Sequence, residues 1–255
     1  MLQESVALGR HRARELSVRL AVTPSEIIEA QKLRWRVFAD EMGARLNPRS
    51  PGLDQDLYDA YCDHLIVRDE QEGRIVGTYR ILPPEAARRV GNYYAESEFD
   101  ITRLQHLRRR LVEVGRSCID AEYRSGAVIS LLWSGLARYM TERNYGYLMG
   151  CASLGMADGG HNAAGVFSAL ESTHPGAMAP LEYRVFPRHP FPLERIAPQA
   201  NAITPPLIKG YLRAGAWVCS EPAWDPDFNT ADLLMLLPMS RIEARYARHF
   251  VGAAR

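Results

Sequence analysis

Lysine is nearly missing from this chain. Of its 31 basic residues only Lys32 and Lys209 are lysines, and arginine carries the rest of the positive charge. Such a bias suits bidentate contacts with carboxylates and phosphates, and it is equally what an arginine-biased genome yields. The formal net charge of +1 excludes a protein that coats nucleic acid generally, while leaving room for a local basic patch. No segment approaches the roughly 20 consecutive apolar residues of a membrane span. The first residues scatter charge through Arg10, His11, Arg12, Arg14 and Glu15 instead of forming the apolar run of a secretory signal. A cytoplasmic protein is expected, with any contact to the inner membrane peripheral. Cys62, Cys118, Cys151 and Cys219 lie far apart with no Cys-x-x-Cys pair, which excludes a disulfide framework and predicts reduced thiols. There is no His-Glu-x-x-His pair, Walker loop or Gly-x-Gly-x-x-Gly stretch, so neither a metal nor a bound nucleotide is expected. Internal repeats, low-complexity linkers and composition breaks are also missing, and the economical reading is one mixed α/β domain over residues 16–255 after a loosely held arm, 1–15.

What is present fits a soluble globular protein with a sizeable core: 255 residues, 47% hydrophobic and 24% charged. Leu16, Val18 and Leu20 alternate as in a strand. Thr23-Pro24-Ser25-Glu26 starts a helix with a capping hydroxyl, a proline at the first helical position and a glutamate at the third, and the helix should run to about Met42 and stop at Gly43. Ile27, Ala30, Leu33 and Val37 make its apolar stripe, with Arg34 and Phe38 on a neighbouring face. Residues 47–61, with two prolines and Asp54, Asp56 and Asp59, read as a loop. The alternating runs His64 to Arg68 and Arg74 to Leu82 predict a hairpin closed by Pro83-Pro84. The stretch from Glu85 to Arg110 has a weaker pattern and ends in a basic knot at Arg103, His106, Arg108, Arg109 and Arg110 that is either a solvated face or a docking surface for an acidic partner. Further strands are expected over 147–154, 183–186 and 231–237. Helices are expected over 160–171 and 207–214, with an irregular, apolar excursion between Pro187 and Pro206.

Leu111 to Asn144 organises the rest. It is a buried strand feeding a helix through Asp-Ala-Glu-Tyr-Arg-Ser-Gly, and the unpaired N–H groups at a helix start suit a phosphate, especially where Gly126 permits close approach. Glu113 sits in that strand among Leu111, Val112 and Val114, where a carboxylate is costly unless it is paired, for example with Arg116, or working. A strand carboxylate beside a phosphate-binding helix start is how acyl transfer to an amine is commonly arranged. Other motifs fail on geometry. His64 and Asp69 have a His-x4-Asp spacing, but residues five apart in a regular strand point to opposite faces. Cys151-Ala152-Ser153-Leu154-Gly155 lacks the first glycine of a nucleophile elbow.

Arg34 with Phe38, Asp56-Leu57-Tyr58-Asp59, Gly77-Thr78-Tyr79-Arg80, Phe99 and Glu113-Val114-Gly115-Arg116 resemble, in order and spacing, the pattern of acyl-homoserine lactone synthases, except that the last motif usually has serine where Gly115 stands. The segments Pro206 to Ala216 and Asp225 to Asp232 look like the C-terminal signature of the related ornithine N-acyltransferases that make lyso-ornithine lipid. This resemblance implies a GNAT-like (N-acetyltransferase) fold, with a central mixed sheet flanked by helices and a C-terminal extension from about 187. It implies transfer of a 3-hydroxyacyl group from acyl carrier protein to the α-amine of ornithine, with no permanently bound cofactor. Glu113 would be the base, and Asp56 and Asp59 would bind the substrate's ammonium groups or order a lid. Arg34, Arg80 or Arg116 would take its carboxylate, with Phe38 beside them. Arg124, Ser125, Gly126 and Ala127 would hold the phosphopantetheine phosphate, and Arg103, Arg108, Arg109 and Arg110 would meet the carrier protein. The fatty chain would lie along Leu131, Leu132 and Trp133. Acyl-homoserine lactone synthesis, acylation of another amino acid and a non-catalytic carrier-binding role are the alternatives.

Overall fold

Thr23 accepts the Glu26 N–H and the Glu26 carboxylate reaches back to the Thr23 N–H, the reciprocal cap that the sequence predicts. From it runs α1, Pro24–Trp35, which continues as one wide π-helical turn over Arg36–Glu41 and ends at Gly43, whose φ of 74° is left-handed. The computed structural model describes residues 14–46 and 50–242; the expected arm up to residue 13 and the basic tail beyond Ile242 lie outside the described residues. Arg14, at the start, stacks its guanidinium 4.0 Å from the centre of the Tyr123 ring.

In chain order the strands are β1 (Leu16–Leu20), β2 (Asp63–Asp69), β3 (Arg74–Leu82), β4 (Phe99–Asp100), β5 (Leu111–Ile119), β6 (Tyr147–Gly155), β7 (Phe186–Pro187), β8 (Trp217–Val218), β9 (Ala223–Asp225) and β10 (Thr230–Pro238). The helices after α1 are α2 (Pro84–Val90), α3 (Ala127–Glu142), α4 (His161–Thr173) and α5 (Pro206–Ala214). Eight strands form one sheet in the order β1-β2-β3-β5-β6-β10-β8, with β9 on β10. Only β5 and β6 are parallel.

Two layers cover this sheet. The apolar residues of α3, α4 and α5 (Val128, Leu132, Phe167 and Ile208 among them) bury one face together with Val67, Val114 and Leu233. Ala30, Leu33 and Val37 of α1 pack on Ile66, Ile75 and Cys118 of the other face, and Tyr93, Phe99 and Leu104 complete it against Leu82, Met149 and Leu234. Residues expected to form a strand at 183–186 instead make a 3₁₀ turn, Leu181–Tyr183, followed by β7, which pairs with β4. The irregular excursion after Pro187 is packed, not loose: Phe191 enters the core and the Gln199 N–H donates to the His161 carbonyl. What was expected as an extension thus supplies the strand β10 that lies between β6 and β8.

Two features of β5 shape everything that follows. Its parallel pairing with β6 extends only from Leu111–Tyr147 to Glu113–Met149, after which the two strands separate. At that fork Gly150 lies so close that a Cβ would come within 2.4 Å of the Val114 carbonyl oxygen, so no larger residue fits. On its other edge β5 carries a bulge opposite Tyr79, and Arg116 there adopts a φ of 50°, rare for a residue with a side chain.

Candidate active site

The fork opens into a cavity of about 870 Å³ that reaches both faces of the sheet. On the helical side it is lined by Ile129 and Trp133 of α3 and by Leu207 and Gly210 of α5; on the other by Glu113, Arg80, Tyr94, Glu98, Cys151 and Asp232. A pocket of this size with few convergent polar groups is the usual form of a small-molecule site.

Glu113 stands on its wall, 5% exposed. Its two carboxylate oxygens accept the N–H groups of Tyr94 and Ala95, each at 2.7 Å, so it caps the 3₁₀ turn Tyr94–Ser97. Burial nevertheless dominates and lifts its carboxyl from 4.5 to about 7. The ion pair with Arg116 that the sequence left open does not form. Arg116 instead lies 3.2 Å from Asp54 and 3.7 Å from Asp56, with its guanidinium over the Tyr94 and Phe228 rings at 5.0 and 4.7 Å.

Three arginines and three aspartates form one buried network beside the cavity. Arg34 donates to Asp54 at 2.8 Å and to Asp59 at 2.7 Å; Arg80 donates to Asp56 at 2.7 Å and to Asp59 at 3.1 Å. Burial opposes the charge on Asp59, yet Arg34 and Arg80 hold its carboxyl below the usual range. Asp56 also accepts the Tyr58 N–H and so caps the turn Leu57–Tyr61, giving regular structure to what reads in sequence as a loop. Asp54, to which the sequence gives no role, is therefore as central as Asp56 and Asp59. Of these six only Arg80 and Arg116 line the cavity. Arg34 is fully buried, and Asp59 has both oxygens engaged, so these two position others and do not face a substrate. Phe38 lines the cavity, edge-on to Phe228 at 5.8 Å. The Arg45 N–H also donates to the Asp227 carbonyl, so the turn before β10 clasps the end of the α1 helix. His64 is buried, its Nε2 3.2 Å from the Asp59 carbonyl oxygen, and Asp69 pairs instead with the Tyr123 hydroxyl.

At the start of α3, Gly126 has a φ of 103° and no side chain caps the helix, leaving its first N–H groups open. Arg124 and Gly126 line the cavity mouth, Arg124 also pairing with Glu41 at 2.6 Å; Ser125 and Ala127 are exposed beside it. Trp133 lines the cavity, whereas Leu132 is core and Leu131 packs against that core. The basic knot lies elsewhere. Arg103, Arg108, Arg109 and Arg110 precede β5, whereas Arg124 to Ala127 follow it, and nine residues of strand put about 27 Å between the two. Arg103 donates to the Leu181 carbonyl, Arg108 pairs with Glu96, and Arg110 donates to Asn144. The four arginines expected to meet a carrier protein and the residues expected to hold its phosphate thus lie at opposite ends of β5.

A second group of acids, invisible as a pattern in the sequence, converges in the same cavity. Glu98 follows the turn capped by Glu113, Asp225 ends β9 and Asp232 lies in β10 opposite Ser153. Their nearest oxygens all lie within 4.8 Å of one another. Burial, then the charges of Asp232 and Asp225, push Glu98 well up, and burial raises Asp232. Cys151, surrounded by these acids, is likewise pushed far above the ordinary thiol range by burial, so it is no ready nucleophile.

Residues 33–134 match the family model described as "Acetyltransferase (GNAT) domain". Among solved structures, the acyl-homoserine lactone synthase LasI superposes with a TM-score of 0.52 at 12% identity, covering 94% of this chain and 96% of that one. FeeM, an N-acyl amino acid synthase from uncultured soil microbes, gives 0.51 at 11% identity over 89% and 92%. The fold is that of GNAT-like acyltransferases. The L-ornithine N(alpha)-acyltransferase of Rhizobium meliloti is 38% identical over 264 residues, 96% of this chain and 87% of the relative. That of Brucella abortus is 36% identical, over 98% and 93%. With such relatives spanning nearly its whole length, the chain belongs to the L-ornithine N(alpha)-acyltransferase family.

Proposed function

We propose that this protein acylates the α-amine of L-ornithine directly, taking a 3-hydroxyacyl group from the phosphopantetheine thioester of acyl carrier protein and yielding lyso-ornithine lipid. The observation that carries the reading is Glu113: a carboxyl buried on the cavity wall, with its proton affinity raised to about 7 and its position fixed by two backbone N–H groups. At neutral pH it accepts a proton from the amine, directly or through one water, as the amine attacks the thioester carbon. The tetrahedral oxyanion, held by a backbone N–H of β6 beyond the fork, collapses with loss of the thiolate, which takes up a proton. Cys151 takes no part, because its thiol stays protonated.

The donor arm enters from the helical side, its phosphate at the open N-terminus of α3 with Arg124 and Gly126, and its acyl chain between Trp133, Leu207 and Gly210. The acceptor occupies the opposite face, with its carboxylate on Arg116 or Arg80. The Arg34, Asp54, Asp56 and Asp59 network holds those two guanidiniums in place, and Phe38 with Phe228 closes one end. The test is mass spectrometry of products from purified protein, a 3-hydroxyacyl carrier protein and a mixture of amino acids that includes ornithine. N-acyl-ornithine that disappears with Glu113→Gln is the expected result. Product from acyl-CoA alone would replace the donor, and product on another amino acid would replace the acceptor.

A further inference from the structure

Resting on that reading of the acceptor, we propose that Glu98, Asp225 and Asp232 form the subsite that binds the side-chain ammonium of the acceptor amino acid, and that this subsite selects a diamino acid over neutral ones. Asp232 is 4% exposed and lies among the side chains of Ser153, Thr230 and Glu98, while its Oδ1 and Oε2 of Glu98 are closed off from water without a well-formed hydrogen bond. Both acids, with Thr230 and Asp225, line the cavity that holds Glu113, so an acceptor lying there meets this acidic wall. Leaving such groups buried and unpaired is costly, and a ligand that supplies donors removes that cost.

The geometry fits an ammonium. Such a group offers three donors, and three oxygens each about 2.8 Å from one tetrahedral nitrogen stand about 4.6 Å apart. The carboxylate oxygens here lie within 4.8 Å of one another. A divalent cation completed by water would also accept three carboxylates, so the test below includes Mg²⁺ and Mn²⁺ as competing ligands. The same cavity carries the other polar groups a diamino acid requires: guanidiniums of Arg80 and Arg116 for the carboxylate and Glu113 for the reacting amine. Burial, then the charges of Asp232 and Asp225, raises Glu98, and burial with the charge of Asp225 raises Asp232, so the Glu98–Asp232 pair keeps a proton while empty.

The test compares ornithine with norvaline, which is ornithine with its second amine replaced by hydrogen. The wild-type protein should favour ornithine in kcat/KM by at least 100-fold. In Asp232→Asn and Glu98→Gln the ornithine value should fall 10- to 100-fold, mostly through KM, with norvaline unchanged or improved. Parallel loss for both substrates, or no loss for either, overturns the subsite. Asp225→Asn, at a less buried position, gives a second variant should Asp232→Asn unfold. Failure of the acylation reading is separable, because calorimetry of wild-type protein needs no turnover: ornithine should bind and norvaline should not. Equal binding of the two, or binding of Mg²⁺ or Mn²⁺ with no response to ornithine, overturns the proposal even in an inactive enzyme.

Discussion

Glu113 meets two opposed demands, since a good cap should be fully ionised while a good base must hold a proton part of the time. Burial settles the balance near 7. The kcat/KM for the acyl transfer should therefore rise with pH through about 7 and lose that inflection in Glu113→Gln, with a fall of 10²- to 10⁴-fold. The same shift has a stability counterpart. Because the folded carboxyl binds its proton more tightly than the unfolded one, stability falls as pH rises from 4.5 to about 7, and above that the penalty is fully present, about 3 kcal/mol. Urea unfolding of wild type and Glu113→Gln across that window should show the wild type losing more. Cys151→Ser should keep turnover within about threefold and leave no acylated protein detectable by intact mass, as expected of a thiol kept protonated. Arg34→Ala should cost about 3 kcal/mol in thermal unfolding, since it takes one of two arginine partners from each of the buried Asp54 and Asp59.

At the scale of elements, the fork between β5 and β6 makes the cavity, and two glycines near it respond differently to the same change. Gly150→Ala drives a methyl into the Val114 carbonyl and should destabilise by about 2–4 kcal/mol. A Cβ at Gly115 meets nothing within 4 Å, so Gly115→Ala should unfold at nearly the wild-type denaturant midpoint and alter only substrate affinity. Most regular elements were legible because their physics is local. Thr23-Pro24-Glu26 carries the cap of α1, short runs of Leu, Ile and Val buried on both faces carry β2 and β3, and Gly215 stops α5 with a φ of 98°. Glu113 was legible too, as a lone carboxylate in an apolar strand. Partnership was not. Arg34 reads as a substrate ligand until Asp54, 20 residues on, is seen to occupy it. Glu98, Asp225 and Asp232 come from three separate segments, so no spacing marks them as a group. Arg103 to Arg110 and Arg124 are close in sequence, yet the nine-residue strand β5 carries them to its opposite ends.

Across the whole molecule, the last described strand joins elements from distant parts of the chain. β10 pairs with β6, β8 and β9, carries Asp232, and follows the turn whose Phe228 meets Phe38 and Arg116. Among the described residues no helix is long and apolar enough to cross a membrane. The order in which the chain leaves the ribosome then gains meaning. Until residues 230–238 have emerged, β6 has no partner on one edge, β8 and β9 have nothing to pair with, and the acidic wall of the cavity does not exist. A chain stopped before residue 230 therefore lacks both the antiparallel partner of β6 and Asp232, and the cavity stays unwalled on that side until the last described strand is in place.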